Sequence, residues 1–177
     1  NTRPRWCRAF INCILPISQT RAQLVFFLNR VGGIEHLVYN GPMRALVKTS
    51  AQPGLTATDR PDPRPGLIDA IIRVKATSLC GTDAHIYNWD PWAHSRIHPP
   101  RIIGHEMCGE VVEVGSDVTL VKTGDYVAAE SHLTCGHCFQ CRTGQAHVCK
   151  NYRILGVDRD GSFAEYLVLP ETVLWKS

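Results

Sequence analysis

Short runs of alternating apolar and polar residues, separated by glycine and proline, mark most of the chain from Met43 onward. Runs of this length, rich in β-branched residues and bounded by turn residues, predict β-strands. Many short strands punctuated in this way are typical of a small, irregular β-barrel, so we expect a mainly β (α+β) domain. The predicted strands are residues 43–48, 67–76, 109–115, 126–129 and 164–169.

One short helix is predicted just after Cys80, with Thr82 or Asp83 as its N-cap. The aromatic and polar run 87–92 is expected to be a loop. No Gly-x-Gly-x-x-Gly and no Walker-type Gly-Lys-Ser/Thr occurs in the sequence, and residues 156–161 form a glycine-bounded loop without either pattern. Strand and helix patterns do not alternate as in a βαβ unit. The sequence therefore predicts that no nucleotide-binding Rossmann domain lies within this chain.

Residues 1–42 differ from the rest of the chain. They carry arginines and apolar pieces without a helical or strand period, and the longest unbroken apolar run, 24–28, is far shorter than the ~20 residues of a membrane span. An Arg-rich start and an apolar stretch allow a signal peptide, but no convincing cleavage site follows. We interpret residues 1–42 as an upstream or non-native extension and 43–177 as the domain. The alternative is an N-terminal extension that packs on that domain.

Composition limits the classes of partner. The chain has 177 residues, enough for one domain with a real core, and a formal net charge of only +3. Its basic residues are spread along the sequence apart from a small group near the N-terminus. Because a nucleic-acid binder needs a concentrated basic face, we expect no nucleic-acid partner, and we expect no membrane association.

Four of the eight cysteines are closely spaced: Cys135, Cys138, Cys141 and Cys149. Four thiolates at this spacing can enclose one Zn²⁺ tetrahedrally and leave no open position, which predicts a structural zinc lobe over residues 135–149. Disulfides and an iron–sulfur cluster are the competing interpretations, and the spacing favours zinc over both. A zinc–thiolate site in turn indicates a reducing, cytoplasmic setting.

Other residues of this segment support the wrapping of one ion. Gly136 and Gly144 can relieve backbone strain where the loop turns around the metal. His137 and His147 could in principle replace a thiolate, but four cysteines suffice, so we expect both histidines to be exposed surface residues.

A second set of potential ligands lies upstream. Cys80 opens a Cys-Gly-Thr-Asp turn and His105-Glu106 follow Gly104. A thiolate, an imidazole and a carboxylate with an open fourth position describe a catalytic zinc site. On a regular strand His105 and Glu106 would point to opposite faces, so both reach one ion only if the chain turns at Gly104. Glu165 is a further candidate carboxylate.

These motifs resemble those of the zinc-dependent medium-chain dehydrogenases. More narrowly, the runs 80–90, 130–138 and 161–166 are similar to the branch of bacterial L-threonine 3-dehydrogenases. The resemblance extends from Met43 to the end of the chain. It implies a GroES-like catalytic domain of a cytoplasmic, usually tetrameric enzyme that oxidises L-threonine to 2-amino-3-oxobutanoate with NAD. A sorbitol-type polyol dehydrogenase and a non-enzymatic zinc-binding module are the alternatives.

The resemblance also implies residue roles and two zinc ions per chain. Thr82 and His85 would form a proton relay, and His132 would line the substrate pocket. Zinc in the first site would be held by Cys80, His105 and Glu106 with Glu165 beside them, and in the second site by Cys135, Cys138, Cys141 and Cys149.

The nucleotide-binding domain of that family normally follows the catalytic domain, and this sequence stops at Ser177. We therefore expect the chain to be a fragment that binds zinc and does not turn over threonine by itself.

Overall fold

The computed structural model describes residues 42–176. The prediction that residues 1–42 are an extension falls, except for Pro42, outside the described residues and stays a prediction. The described part contains ten strands and three α-helices. The helices are α1 (Gly81–Asn88), α2 (Pro91–Arg96) and α3 (Phe139–Arg142). The strands are β1 (Met43–Lys48), β2 (Thr56–Arg60), β3 (Asp69–Thr77), β4 (Arg101–Ile102), β5 (Met107–Val114), β6 (Tyr126–Ala129), β7 (His132–Leu133), β8 (Arg153–Ile154), β9 (Tyr166–Pro170) and β10 (Leu174–Lys176).

The strands form three antiparallel sheets, which confirms the mainly β prediction. The largest has the order β10-β6-β5-β3-β9, the second is β2-β1-β4, and the third is the pair β7-β8. Their hydrogen bonding leaves each sheet open, so the barrel-like arrangement is not a closed ring of paired strands in residues 42–176. A single bridge from Ala45 to Ala164 links the edge of β1 to the chain entering β9.

Alternation along the strands fills the core. In β1 the buried and exposed positions alternate from Met43 to Val47, and in β9 Leu167 and Leu169 point inward between more exposed neighbours. The inward side chains of the five-stranded sheet pack together, with Ile72 and Val111 fully buried at the centre. Burying one such side chain contributes about 1.5–3 kcal/mol, so this packing stabilises the sheet. Cys80 follows its strand β3, and His105 and Glu106 precede its strand β5.

The segment 87–92, predicted as an aromatic loop, contains the end of α1, a two-residue turn and the start of α2. Tyr87 and Asn88 end α1, and Trp89 takes the left-handed conformation (φ 55°) that stops it. Asp90 then caps α2 by accepting a hydrogen bond from the Ala93 N–H at 2.9 Å. The loop prediction was wrong because only two residues of each helix fall in this run, too few to show a helical period. The start of α2 is set locally by the Asp90 cap and the proline that follows it.

Lys48 fastens this turn to the sheet although it is a fully buried charged residue. Its ammonium donates to three backbone carbonyls: Gln52 at 2.5 Å, Gly54 at 3.1 Å and Tyr87 at 3.2 Å. The same ammonium lies 4.9 Å from the centre of the Trp89 ring. Three acceptors and an aromatic face satisfy the buried cation, so Lys48 ties β1 to the C-terminal end of α1.

Replacing Lys48 with methionine keeps the side-chain volume and removes these contacts. Because the carbonyls of Gln52 and Gly54 would lose a charged donor, we expect the free energy of unfolding to fall by about 2–4 kcal/mol. Chemical denaturation of the zinc-loaded chain measures this. Lys150→Met, at an exposed position on the surface, is the matched control and should change stability by less than about 0.5 kcal/mol. Equal stability of the Lys48 variant and the wild type would show that Lys48 does not fasten the turn.

Candidate metal centres

The upstream ligand set converges in space. Single ligand atoms of Cys80, His105 and Glu106 all lie within 4.8 Å of one another. Cys80 is the N-cap of α1, whereas His105 and Glu106 lie in the segment between β4 and β5. A sulfur, a nitrogen and an oxygen from two separate segments therefore point to one location, which is the donor set of a three-ligand zinc site.

The turn at Gly104 brings the two neighbouring residues to that location. Gly104 has φ +91°, which only glycine adopts without strain, and this confirms that the chain turns here. Backbone hydrogen bonds hold the turn: Ser162 N donates to the Gly104 carbonyl at 2.9 Å and Phe163 N to the Ile103 carbonyl at 2.9 Å. Gly161 lies so close to it that a Cβ there would meet the Gly104 oxygen at 2.1 Å.

Hydroxyl groups hold the backbone and carboxylate of Glu106. The Thr77 hydroxyl donates to the Glu106 carbonyl at 2.7 Å, and Ser78 N donates to the same oxygen at 3.1 Å. The Ser78 hydroxyl bonds the Glu106 carboxylate. Glu106 is therefore positioned by Thr77 at the end of β3 and by Ser78, and not by its own segment alone.

Asp83 is a residue of this site that the sequence analysis considered only as a helix cap. Cys80, not Asp83 or Thr82, is the N-cap, and the Asp83 carboxylate accepts the Cys80 N–H at 2.9 Å. Its second oxygen is buried 3.7 Å from the His105 Nδ1, and neither atom has a hydrogen-bond partner among the described residues. Burial raises the pKa of the Asp83 carboxyl, and the Cys80 N–H and His105 oppose that rise.

This arrangement is what a metal-binding histidine needs. A carboxylate that faces Nδ1 favours the tautomer with a proton there and leaves Nε2 free to bind an ion. The His105 Nε2 lies on the side of Glu106, 4.0 Å from its Oε1. The only sequence signal for Asp83 was its spacing, three residues after Cys80 on the first turn of a helix.

Thr82 and His85 occupy the same helix at different distances from the cluster. The Thr82 hydroxyl lies 3.9 Å from the Cys80 sulfur and is half-buried. His85 is exposed, and its Nδ1 pairs with the Asp90 carboxylate at 2.5 Å. His85 also lowers the pKa of Asp90, although the N–H of Ala93 is the larger cause. The Thr82 hydroxyl thus lies beside the candidate ligands, and the His85 imidazole lies at the protein surface on the same helix.

A cleft of about 240 Å³ opens beside the cluster. Its polar lining includes His105, Glu106 and Glu130, and its apolar floor includes Met107 and Ala128. His132, predicted to line the substrate pocket, is not part of this lining; its neighbours Glu130 and Ser131 are. The exposed His132 ring instead lies beside Tyr152, at 5.7 Å between ring centres, with its Nδ1 3.0 Å from the Ser131 hydroxyl.

Glu165 is not brought into the cluster. Its carboxylate accepts the Arg44 N–H at 2.8 Å, and its backbone N–H donates to the Arg44 carbonyl at 3.1 Å. The metal-ligand group that the described residues form around Cys80 contains His105 and Glu106 without it. A place for Glu165 in the zinc site stays a prediction that this geometry does not support.

The four clustered cysteines form the second centre. Their sulfur atoms lie within 4.8 Å of one another. The measured separations are 3.5 Å for Cys138–Cys141, 3.8 Å for Cys138–Cys149 and 3.5 Å for Cys135–Cys149. Four sulfurs about 2.3 Å from one Zn²⁺ at tetrahedral corners would be ~3.8 Å apart, so the geometry suits a closed zinc site.

The protonation of these thiols also suits a cation. The backbone N–H of His137 is the largest cause that lowers the pKa of Cys135, to about 5. The backbone N–H of Cys141 likewise lowers the pKa of Cys138. Burial, reinforced by the adjoining thiols, raises the pKa of Cys141 to about 12. Four sulfurs this close cannot all be anionic unless a metal ion balances their charge, as Zn²⁺ does.

The local backbone agrees with the sequence analysis of the lobe. Gly136 and Gly144 have φ values of +73° and +79°, as expected where the chain wraps an ion. His137 and His147 are exposed, and the His137 Nδ1 lies 2.8 Å from the Cys135 carbonyl. Neither histidine joins the group of potential ligands in the described chain.

An antiparallel, irregular β-domain with a three-ligand centre beside a cleft and a closed four-cysteine lobe defines the catalytic-domain class of zinc-dependent alcohol dehydrogenases. The chain belongs to the family of the alcohol dehydrogenase GroES-like domain, whose model matches residues 66–177. This confirms the predicted fold class and the family resemblance.

The proteins that are similar to this chain include several dehydrogenases. The L-threonine 3-dehydrogenase of Bacillus licheniformis is 53% identical over 138 residues, which are 78% of this chain and 40% of that protein. The crystal structure of a cobalt- and zinc-bound alcohol dehydrogenase from Pyrobaculum aerophilum matches with a TM-score of 0.67 and 34% identity, over 76% of this chain and 41% of that one. An alcohol dehydrogenase of Escherichia coli complexed with NADH matches with a TM-score of 0.68 and 35% identity, over 77% and 38%.

The chain thus spans about 40% of the length of the curated relatives it matches. Among residues 42–176, no helix is long and apolar enough to cross a membrane.

Proposed function

We propose that this chain is the catalytic domain of a zinc-dependent dehydrogenase that oxidises L-threonine to 2-amino-3-oxobutanoate with NAD. One observation carries the proposal: Cys80, His105 and Glu106 converge beside an open cleft while a separate four-cysteine lobe is closed. A three-ligand centre that faces a cleft is suited to catalysis, and a four-thiolate centre is suited to structure. The domain would extend over residues 43–177, with residues 1–42 as an extension.

Each residue in or near the first centre would have a separate chemical role. Bound zinc would supply a Lewis acid that makes a substrate hydroxyl easier to deprotonate. Cys80, His105 and Glu106 would hold the ion, and Asp83 would fix the tautomer of His105. Thr82 would take the proton next to the ligands and pass it to His85, which exchanges it with solvent.

The charge of the cleft supports an amino alcohol as substrate. Its lining includes two carboxylates, Glu106 and Glu130, and no lysine or arginine from the described chain. A carboxylate at the rim of a small cleft attracts an ammonium group, which threonine has and sorbitol lacks. The names of the curated relatives point to the same substrate.

The rest of the proposal concerns the whole protein. NAD would bind to a domain outside this sequence, and the complete enzyme would be a cytoplasmic homotetramer without nucleic-acid or membrane partners. His132, close to the cleft residue Ser131, would contact substrate only from the rim of the cleft.

Zinc content tests the two-centre proposal directly. Elemental analysis of the chain should give about two zinc ions per chain. Cys80→Ala should lower this value to about one, because the four-cysteine lobe keeps its ligands. Thr82→Val, next to the site but outside the group of potential ligands, is the control and should retain both ions. One zinc ion in the wild type, unchanged by Cys80→Ala, would favour a non-enzymatic zinc-binding module.

Activity of the full-length protein tests the substrate. With NAD, L-threonine should be oxidised at least about tenfold more efficiently than sorbitol, in the sense of kcat/KM. Thr82→Val should keep zinc and lose most of kcat through the interrupted proton transfer. Preference for sorbitol would assign the protein to the polyol branch instead.

A further inference from the structure

A second, larger cleft of about 620 Å³ shares no residue with the zinc-site cleft. It lies where the ends of β1 and β2 meet β4, β8 and β9. Four arginines line it, and Asp160 is the one acidic residue of its lining within the described chain. The arginines are Arg60, Arg101, Arg153 and Arg159.

Arg159 is the most constrained of the four. It is half-buried, and its Nη2 donates to the Val168 carbonyl at 2.9 Å. Within residues 42–176 no carboxylate lies within 4.0 Å of its guanidinium. Burial lowers its pKa most; the charge of Asp69 raises it, the charge of Arg153 lowers it and the charge of Asp160 raises it, in decreasing order. A guanidinium in this position gains from an anion placed next to it.

The other arginines leave donors free. Arg101 reaches Asp160 at 3.4 Å, but that carboxylate oxygen also accepts the Ile102 N–H at 3.0 Å. The Arg101 Nε is buried and finds no partner in the part of the chain described. Arg60 and Arg153 make no ion pair with any carboxylate of residues 42–176. Around this one volume the described chain thus supplies four guanidinium groups and one carboxylate, which Arg101 shares with a backbone N–H.

The remaining lining is apolar. Met43, Ile102, Leu167 and Val168 contribute to the walls, and Tyr166 adds an aromatic ring. The volume is within the range of about 300–1,000 Å³ that small-molecule sites occupy. A ligand with an anionic group for the arginines and a small organic part for these walls would match both halves of the lining.

The sequence outside the described residues is a poor source of that anion. Glu35 is the only acidic residue among residues 1–41, which also contain five arginines, namely Arg3, Arg5, Arg8, Arg21 and Arg30. A segment with this charge is a poor counter-ion for four arginines. We therefore look for the counter-charge in a ligand.

We propose that this cleft binds a phosphate monoester. Arginine forks recognise phosphate oxygens in pairs, and four of them around one cleft provide more donors than a single carboxylate can use. The site is separate from the zinc centres, so binding there does not depend on dehydrogenase activity.

Isothermal titration of the zinc-loaded chain with phenyl phosphate and with inorganic phosphate tests this proposal at fixed ionic strength. Phenyl phosphate should bind with a Kd below about 1 mM and more tightly than inorganic phosphate, because its ring can contact the apolar walls. Neutral phenol should not bind measurably. Arg153→Gln, at an exposed position, should weaken phenyl phosphate binding about tenfold, and Arg60→Gln should act in the same direction.

Arg142→Gln on the cysteine lobe is the matched control for loss of one exposed arginine. It should leave the Kd within about twofold of wild type. The Cys80→Ala variant should bind phenyl phosphate as wild type does, which separates this cleft from the zinc site. Absence of phenyl phosphate binding, or equal weakening by Arg142→Gln and Arg153→Gln, would overturn the proposal.

Discussion

Gly161→Ala should disrupt the geometry of the Cys80–His105–Glu106 site, although Gly161 is not one of its potential ligands. A Cβ at this position would meet the Gly104 oxygen at 2.1 Å and the Ile103 oxygen at 2.6 Å. Both contacts are with backbone, so no side-chain rotation relieves them. The turn at Gly104 would have to move, and His105 and Glu106 would move with it.

We expect a large loss of stability because the backbones of Gly104, Gly156 and Gly161 are in close contact. A Cβ on Gly156 would likewise meet the Gly104 oxygen at 2.5 Å, so the turn cannot shift toward that side. Overpacking of this kind costs about 1–3 kcal/mol or more, and we expect at least ~3 kcal/mol of stability to be lost. Zinc content should fall from about two ions per chain to about one, since the four cysteines of the lobe form a separate ligand group.

Gly81→Ala is the control for Gly161→Ala. A Cβ on Gly81 would meet nothing within 4 Å, and Gly81 is the first residue of α1. Alanine favours helix by up to ~1 kcal/mol over glycine, so this variant should be as stable as wild type or slightly more stable, with both zinc ions retained. Chemical denaturation with elemental analysis measures both quantities. Full zinc content in Gly161→Ala would show that the glycine packing does not position the ligands.

Cys149→Ser should remove the zinc of the lobe and unfold the lobe locally. The Cys149 sulfur is almost fully buried and accepts hydrogen bonds from the N–H groups of Cys135 at 3.4 Å and Asn151 at 3.3 Å. Serine has neither the soft donor nor the reach of a thiolate. Structural zinc contributes about 10–16 kcal/mol of apparent binding free energy in small domains, so its loss outweighs the packing of this short segment.

Amide hydrogen exchange is the measurement for this variant. Residues 135–149 should lose protection in Cys149→Ser while the five-stranded sheet keeps it, and one zinc ion per chain should remain. His137→Ala removes an imidazole from the same lobe that lies outside the four-cysteine group, so it should retain two ions. Loss of zinc in His137→Ala together with retention in Cys149→Ser would mean that the histidine, not the cysteine, is the ligand.

Local sequence patterns predicted the strands that lie over the core. Residues 43–48 and 126–129 were predicted as strands with the bounds that β1 and β6 have. The predicted strands at 109–115 and 164–169 overlap β5 and β9 but start or end about two residues away. Five strands were not predicted: β2, β4, β7, β8 and β10. Strands β4, β7 and β8 have two residues each, which is too short to show alternation, and β2 is mostly polar and exposed.

The sequence by itself determined which ligand types the two candidate metal centres contain. Cysteines at close, regular spacing specify a thiolate site wherever the loop folds, since all four ligands come from one segment. The sequence also marked Gly104 as the residue that could turn His105 and Glu106 toward one ion, because only glycine adopts such a turn without strain.

Tertiary structure alone decided which distant residues join these ligands. Cys80 meets His105 because β3 and β5 pair side by side, and sheet registers between segments about thirty residues apart are not visible in a local pattern. Other tertiary contacts placed Asp83 behind His105 and kept Glu165 with Arg44. They also gathered four arginines, three of them from separate strands, into one cleft. Side chains on different strands become neighbours through packing, so their joint chemistry appears only once the chain is folded.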